Sequence, residues 1–208
     1  PYDWSEFCPA VFNSCGDDIG HEGYDYSTVQ IGDQCWFSEN CRYLPEVSPS
    51  SEESNTTPYY YVYDYQGTDV EEAQATTNYE TYGVLYNWPA AMESGTCPSG
   101  WHIPSDDEFT QLTDFLGGVS VAGAAMKSSS GWTDNGNGTN SSGLNVLPIG
   151  YRSSNGSYSY INDYGYLWSS SAGADAGAVY RELSYIDSVV SSIGNTREHG
   201  VSVRCIKD

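Results

Sequence analysis

Cations are what this sequence has least of. Its 208 residues hold 7 Lys and Arg against 28 Asp and Glu, a formal net charge of -21. Binding to nucleic acid needs clustered cations to neutralise phosphate, and no basic run exists here, so no nucleic-acid partner is expected. The same shortage removes attraction to an anionic membrane surface. No apolar stretch approaches the roughly 18 residues of a spanning helix, so no membrane insertion is expected. The chain also lacks a CxxC pair and any Cys/His group at zinc spacing. Its cysteines, Cys8, Cys15, Cys35, Cys41, Cys97 and Cys205, therefore read as disulfide formers, which places the protein in an oxidising, extracellular setting.

Catalytic patterns are missing too. No phosphate loop, Ser/His/Asp order or zinc motif is visible, and His21, His102 and His199 lie far apart in sequence. His102, in "GWHIP", reads as a core histidine satisfied by its neighbours. Two carboxylates in a groove would make a glycosidase, yet spacing among 28 acids singles out no pair. No enzyme and no cofactor are expected, with a glycan-active enzyme as the outlying alternative. The chain begins at Pro1 without a Met or a signal peptide and reads as a mature form.

What is present is polar but barely charged. Charged residues make up only 17%, so Ser, Thr, Asn, Gly and 19 Tyr must supply the polar surface. Tyr beside Ser, Gly and Asn is the chemistry of paratopes: rigid amphipathic rings next to small, adaptable hydrogen-bonding groups. Asn55, Asn137, Asn140 and Asn155 each begin an N-x-Ser/Thr sequon.

Residues 1–25 have little periodicity and read as an N-terminal arm, leaving 26–208 as a single domain. Tyr26–Leu44 looks like paired strands around a Gly32-Asp33 turn. Pro45–Pro58 is a polar surface loop, Tyr59–Tyr65 is strand-like, and Gly67–Glu80 is a second acidic excursion. A short helix is expected near Pro89. The clearest helix signal follows, where Ser105 and Glu108 form a capping box. Phe109, Leu112, Phe115 and Leu116 fall on one face, and Gly117-Gly118 stops the run. A second helix is expected over Val121–Lys127, then looped β structure from Gly131. "WTDNGNGTN" (Trp132–Asn140) offers Asp134, Asn137 and Asn140 as oxygen ligands for a hard cation, or a turn stabilised by its own side chains.

In order, the segments "VQIGDQCWFSENCRYL", "YGVLYNWPAAM", "CPSGWHIPSDDEFTQL", "SSSGW", "LNVLPIGYR", "LWSSS" and "VSVRCIKD" resemble the Fibrobacter-type major paralogous domain, an extracellular module of bacteria and viruses similar to the C-type lectin fold. The resemblance implies an α+β C-type-lectin-like domain: two helices with a twisted antiparallel sheet and long loop-rich regions. The Glu-Pro-Asn and Trp-Asn-Asp words of calcium-dependent sugar binding are absent. Within this frame Cys97 and Cys205 are expected to pair, with Cys35–Cys41 and Cys8–Cys15 proposed for the rest. The family usually has other residues where Cys35 and Cys41 stand.

In some proteins of this resemblance the segment before the final "VRC" is diversified by a retroelement that randomises template adenines. Ala172, Gly173, Asp175, Tyr180, Ser184, Ile186, Asp187, Asn195, Thr196 and His199 are all reachable from an Asn codon, whereas Glu182 and Glu198 need a different template codon. Strand alternation puts Val179, Arg181, Leu183 and Tyr185 on one side, and Tyr180, Glu182, Ser184 and Ile186 on an exposed other side. The expected binding face adds Ser192 to these diversified positions and both glutamates, with Tyr160 and Tyr164 at the rim. The expected partner is a protein or glycan on a cell surface, bound noncovalently by a protein of a cell or virion surface. The alternative is a bacterial adhesin or structural surface module with a fixed face, whose acidic loops make the contacts.

Overall fold

Short elements follow from a sequence so dense in Gly, Ser and Asn. The structure, a computed structural model, describes residues 12–208. Strands β1 (Ile19–His21) and β2 (Tyr24–Tyr26) form a first hairpin, and β3 (Thr28–Ile31) and β4 (Gln34–Phe37) a second. The second turns at Gly32 as expected: its φ is +59°, and a Cβ there would sit 2.9 Å from the Phe115 ring, so glycine is required twice over. β5 (Tyr60–Tyr61) pairs with β6 (Leu85–Tyr86). The strand expected over Tyr59–Tyr65 is this short because Asp64 turns the chain at φ +62°.

Between β5 and β6 lie α1 (Val70–Gln74) and α2 (Thr77–Tyr82), in the stretch that reads as an acidic excursion. Each is started by a side-chain cap, Asp69 accepting from Glu72 N and Thr76 from Tyr79 N. α3 (Trp88–Ala91) carries Pro89 in its first turn, and β7 (Trp101–His102) follows. α4 (Asp106–Phe115) has both halves of the expected capping box, and α5 (Ala122–Met126) sits where the second helix is expected. β8 (Tyr151–Arg152) pairs with β9 (Tyr158–Ser159). Then come β10 (Tyr164–Ala172), β11 (Ala178–Ser184), β12 (Val190–Asn195) and β13 (Ile206–Lys207). The larger sheets are antiparallel, one ordered β3-β4-β13-β7 and the other β10-β11-β12. The fold class is α+β.

Two large cores share β4 and β10, and a smaller cluster gathers Tyr61, Tyr63, Leu85 and Ile149. Tyr26, Phe37, Tyr86, Trp101, Trp168, Val201 and Val203 belong to one; Trp36, Phe109, Leu112, Met126, Leu167 and Leu183 belong to the other. Alternation along β4 sends Trp36 one way and Phe37 the other, and β10 does the same with Leu167 and Trp168. Such strands are buried on both faces.

Buried arginines tie the loops down. Arg204, fully buried, donates to Asn40 Oδ1 and to the carbonyls of Phe37, Leu144 and Asn145. Burial pulls its pKa down to about 9, and it stays charged at neutral pH. Arg152 donates to the carbonyls of Ser50, Glu52 and Glu198.

The Cys97–Cys205 disulfide forms as expected, closing a separation of 108 residues. The other pairing differs: Cys35 bonds Cys15, across a Cα separation of 5.8 Å, and Cys41 remains a buried thiol. Main-chain geometry explains the correction. Cys41 N donates to Val203 O, which brings its Sγ to 3.4 Å from Cys205 Sγ, while Cys35 on β4 meets the segment leading into β1. With Cys15 taken, a Cys8–Cys15 bridge is excluded; Cys8 lies outside the described residues.

Candidate binding face

β11 is the middle strand of its sheet, and its alternation sorts the candidate residues. Arg181 and Leu183 point toward α4: Arg181 Nη2 lies 2.8 Å from Asp106 Oδ1, and Leu183 joins the core that contains Phe109. Tyr180, Glu182 and Ser184 occupy the other side. Across β10 they face Trp168, Tyr166 and Tyr164 in turn. Across β12, Tyr180 faces Ile193 and Glu182 faces Ser191.

The result is a continuous run of rings. Trp168 packs on Tyr180 at 5.6 Å between centroids, Tyr180 on Tyr166 at 5.3 Å, Tyr166 on Tyr164 at 5.8 Å, and Tyr164 on Tyr160 at 5.2 Å. Edge and offset contacts of this kind add to the area they bury. The inner rings are buried, with 0% exposure at Trp168, 7% at Tyr180 and 5% at Tyr166, while Tyr160 at the other end is 50% exposed. The inner end is roofed by the first core, where Trp168 Nε1 donates to Tyr86 O. The outer end is open, with Tyr160 exposed and Tyr164 half-buried.

Two candidates are therefore corrected. Tyr180 is buried, its hydroxyl accepting from Asn195 Nδ2, because the roofed end of the strand has no solvent side. His199 is buried against Tyr151, and burial together with Arg152 pulls its pKa down to about 4, leaving it neutral. A third, Ser192, lies on the α4 side of the sheet, where its hydroxyl donates to Asp106 Oδ1.

The remaining candidates gather at the two ends of β11. At the open end Tyr164, Glu182, Ser184, Ile186, Asp187, Val189 and Ser191 line a cleft of about 240 Å³. Ile186 is 67% exposed at its lip. Burial and the charge of Asp187 raise the Glu182 pKa against a lowering hydrogen bond from Tyr166. The turn beneath is held by main-chain contacts: Lys127 Nζ donates to Ser184 O and Asp187 O, and Gly123 N donates to Ser188 O.

At the far end Asp175, Asn195 and Thr196 meet Asn55 and Arg197 around a cleft of about 400 Å³. The β10–β11 turn there holds Asp175 and Ala176 at φ +51° and +60°, a left-handed conformation that costs a residue with a Cβ about 1 kcal/mol or more. Gly173 N closes this turn onto Gly177 O, and Ala172 is exposed beside it. Glu198 accepts from the Thr196 hydroxyl through its carboxylate. Sequence reasoning missed Asn55 and Arg197. Asn55 sits in a loop distant in sequence, and a single arginine among acids carries no pattern.

Other polar groups are held by their neighbours. Asn137 Oδ1 accepts from Trp132 N and Asn140 Oδ1 from Asn145 N, so these oxygens brace the turn of Trp132–Asn140. Among the described residues no group of three or more His, Cys, Asp or Glu side chains is placed to hold a metal. His102 bonds Glu108 through Nε2 at 2.9 Å and Asp208 through Nδ1 at 2.6 Å. Burial pulls its pKa down, but the two carboxylates outweigh it and the net shift is upward.

A family model described as the Fibrobacter succinogenes major domain matches residues 29–207. No curated protein and no solved structure matches the chain.

Proposed function

Since the chain belongs to the Fibrobacter succinogenes major domain family, we propose that it is an extracellular binding domain that grips its ligand with the open end of the β10–β11–β12 sheet and the turns beside it. One observation carries this reading: the ring run ends in exposed Tyr160 and half-buried Tyr164, next to a cleft lined by Glu182, Ser184 and exposed Ile186. Aromatic anchors bury area at low entropic cost, while small polar groups around them fix orientation. The scaffold is C-type-lectin-like and the segment 172–199 is its diversified part. The protein acts by noncovalent recognition of a protein or glycan on a cell surface, itself displayed on a cell or virion. Its two disulfides suit an oxidising exterior.

The test compares two surface variants on the binding target recovered from the source habitat. Tyr160→Ala/Tyr164→Ala/Ile186→Ala removes the open end; Glu52→Gln/Glu53→Gln/Glu71→Gln neutralises the acidic loops. Loss of at least tenfold in affinity for the first variant alone is expected. Loss for the second alone would overturn the reading in favour of an adhesin that binds through its loops. Sequencing the 172–199 coding region across the population adds a second readout, with substitutions expected at adenine-bearing template codons.

A further inference from the structure

Arg197 stands apart from the other arginines of the described residues. Arg42 and Arg181 lie beside Glu39 and Asp106, and Arg152 and Arg204 bind main-chain carbonyls. Arg197 lies in the far-end cleft instead. Its guanidinium rests 4.2 Å above the Trp88 ring, and Nε donates to Gly177 O at 3.2 Å. Among the described residues no carboxylate lies within 4.0 Å of it, and neither Nη atom has an acceptor. In a protein with 28 acids, a guanidinium held over an aromatic face and left without a carboxylate is a receiving group.

From this geometry we infer that the cleft around Arg197 binds the carboxylate of an acidic sugar, a uronic-acid residue of a glycan. The inference rests on the proposed binding role of this segment and names a ligand class for its far end. The guanidinium offers two parallel N–H donors, the fork that matches a carboxylate. The rest of the lining is the amides of Asn55 and Asn195, the Thr196 hydroxyl, the Asp175 carboxylate and turn backbone, with no apolar side chain larger than alanine. Such walls suit a hydroxyl-rich ring and leave an apolar ligand without contact. Asp175 accepts from sugar hydroxyls. Together with the chain's net charge of -21, it also disfavours a doubly charged phosphate relative to a single carboxylate.

The experiment is a titration of the whole chain, followed by amide chemical shifts, with galacturonate, galactose and N-acetylglutamate amide as separate probes. Galacturonate is expected to saturate shifts at Gly177, Gly194 and Thr196, and to bind at least tenfold more tightly than galactose. Arg197→Gln should lose at least tenfold, and Arg197→Lys should lose several-fold, because an ammonium neither stacks flat nor forks. Exposed Asn55→Glu, which leaves the Arg197–Trp88 contact untouched, should weaken galacturonate at least fivefold more than it weakens galactose; it keeps the test decisive if Arg197 variants fail to fold. Equal binding of galactose and galacturonate, or an unchanged Arg197→Gln, would overturn the inference. Tighter binding of the glutamate amide than of galacturonate would overturn the sugar assignment. The Tyr160/Tyr164/Ile186 variant should keep galacturonate binding, so failure of this site and failure of the open-end face are read separately.

Discussion

Replacing Cys97 with serine should reroute a cross-link and not simply delete it. Cys205 loses its partner, but its sulfur already lies 3.4 Å from Cys41 Sγ, and a disulfide needs about 2.05 Å. Oxidative refolding of Cys97→Ser is therefore expected to yield a Cys41–Cys205 bond. On the chain-entropy model the native bridge, spanning 108 residues, constrains the unfolded chain by about 4.8 kcal/mol. The replacement would span 164 residues and contribute about 5.2 kcal/mol. Cys97→Ser should thus stay close to wild-type stability, apart from local packing, while Cys97→Ser/Cys41→Ser should lose about 4–5 kcal/mol more. Burial raises the Cys41 thiol pKa, with Arg204 opposing, so it is protonated and exchange within the folded wild type is slow. Urea denaturation of the three proteins and peptide mapping under acid quench without reductant measure both claims. Alkylatable thiols at both 41 and 205 in Cys97→Ser, with equal stability of single and double mutants, would refute the reasoning.

Four further outcomes are expected. His199 has a folded-state pKa of about 4, below its ordinary value of about 6.5, so its neutral form favours the fold. That stability is fully present above pH 6.5 and is lost as pH falls toward 4, by about 3 kcal/mol at most. An imidazole titration with its midpoint near 6.5 would sink it. His102 has the opposite slope: its raised pKa gives stability present below the unfolded value and lost as pH rises through the folded one. Ser105→Ala breaks the capping box of α4 and should cost about 1 kcal/mol in urea denaturation, and an effect below a few tenths would contradict the cap. Lys127→Met removes the donor to Ser184 O and Asp187 O, so hydrogen exchange should speed up at residues 184–189 while α4 keeps its protection. Unchanged exchange there would show that the Gly123–Ser188 bond alone holds the turn.

Where a structure is fixed by neighbours in sequence, it could be read directly. The Ser105/Glu108 cap, the Gly32 turn and the helix at Pro89 each depend on residues within a few positions. The Cys97–Cys205 bridge followed from the family resemblance. The helices α1 and α2 carried readable caps in Asp69 and Thr76, but the density of acids around them masks the signal. The Cys15–Cys35 pairing was not legible, because it depends on how the segment before β1 returns to β4. Period-two alternation identified two sides of β11 but not what covers each. The first core roofs one end, and Tyr180 is buried as a result. Arg197 acquires meaning only when Trp88, over a hundred positions earlier, slides beneath it.

The grip on the turn after β11 has an evolutionary consequence. Lys127 and Gly123 hold carbonyl oxygens there, atoms that every amino acid possesses. Substituting the exposed Ile186 side chain leaves those bonds intact, so selection can explore new surface chemistry there with little penalty to foldability, whereas Ser184 Oγ and Asp187 Oδ1 themselves accept from Ile186 N and Val189 N. The constraint falls on Lys127 and Gly123, outside that turn. A Cβ at Gly123 would come within 2.7 Å of Ser188 O. Lineages of this domain should therefore drift fast at Ile186 and hardly at all on the pair that clasps the turn.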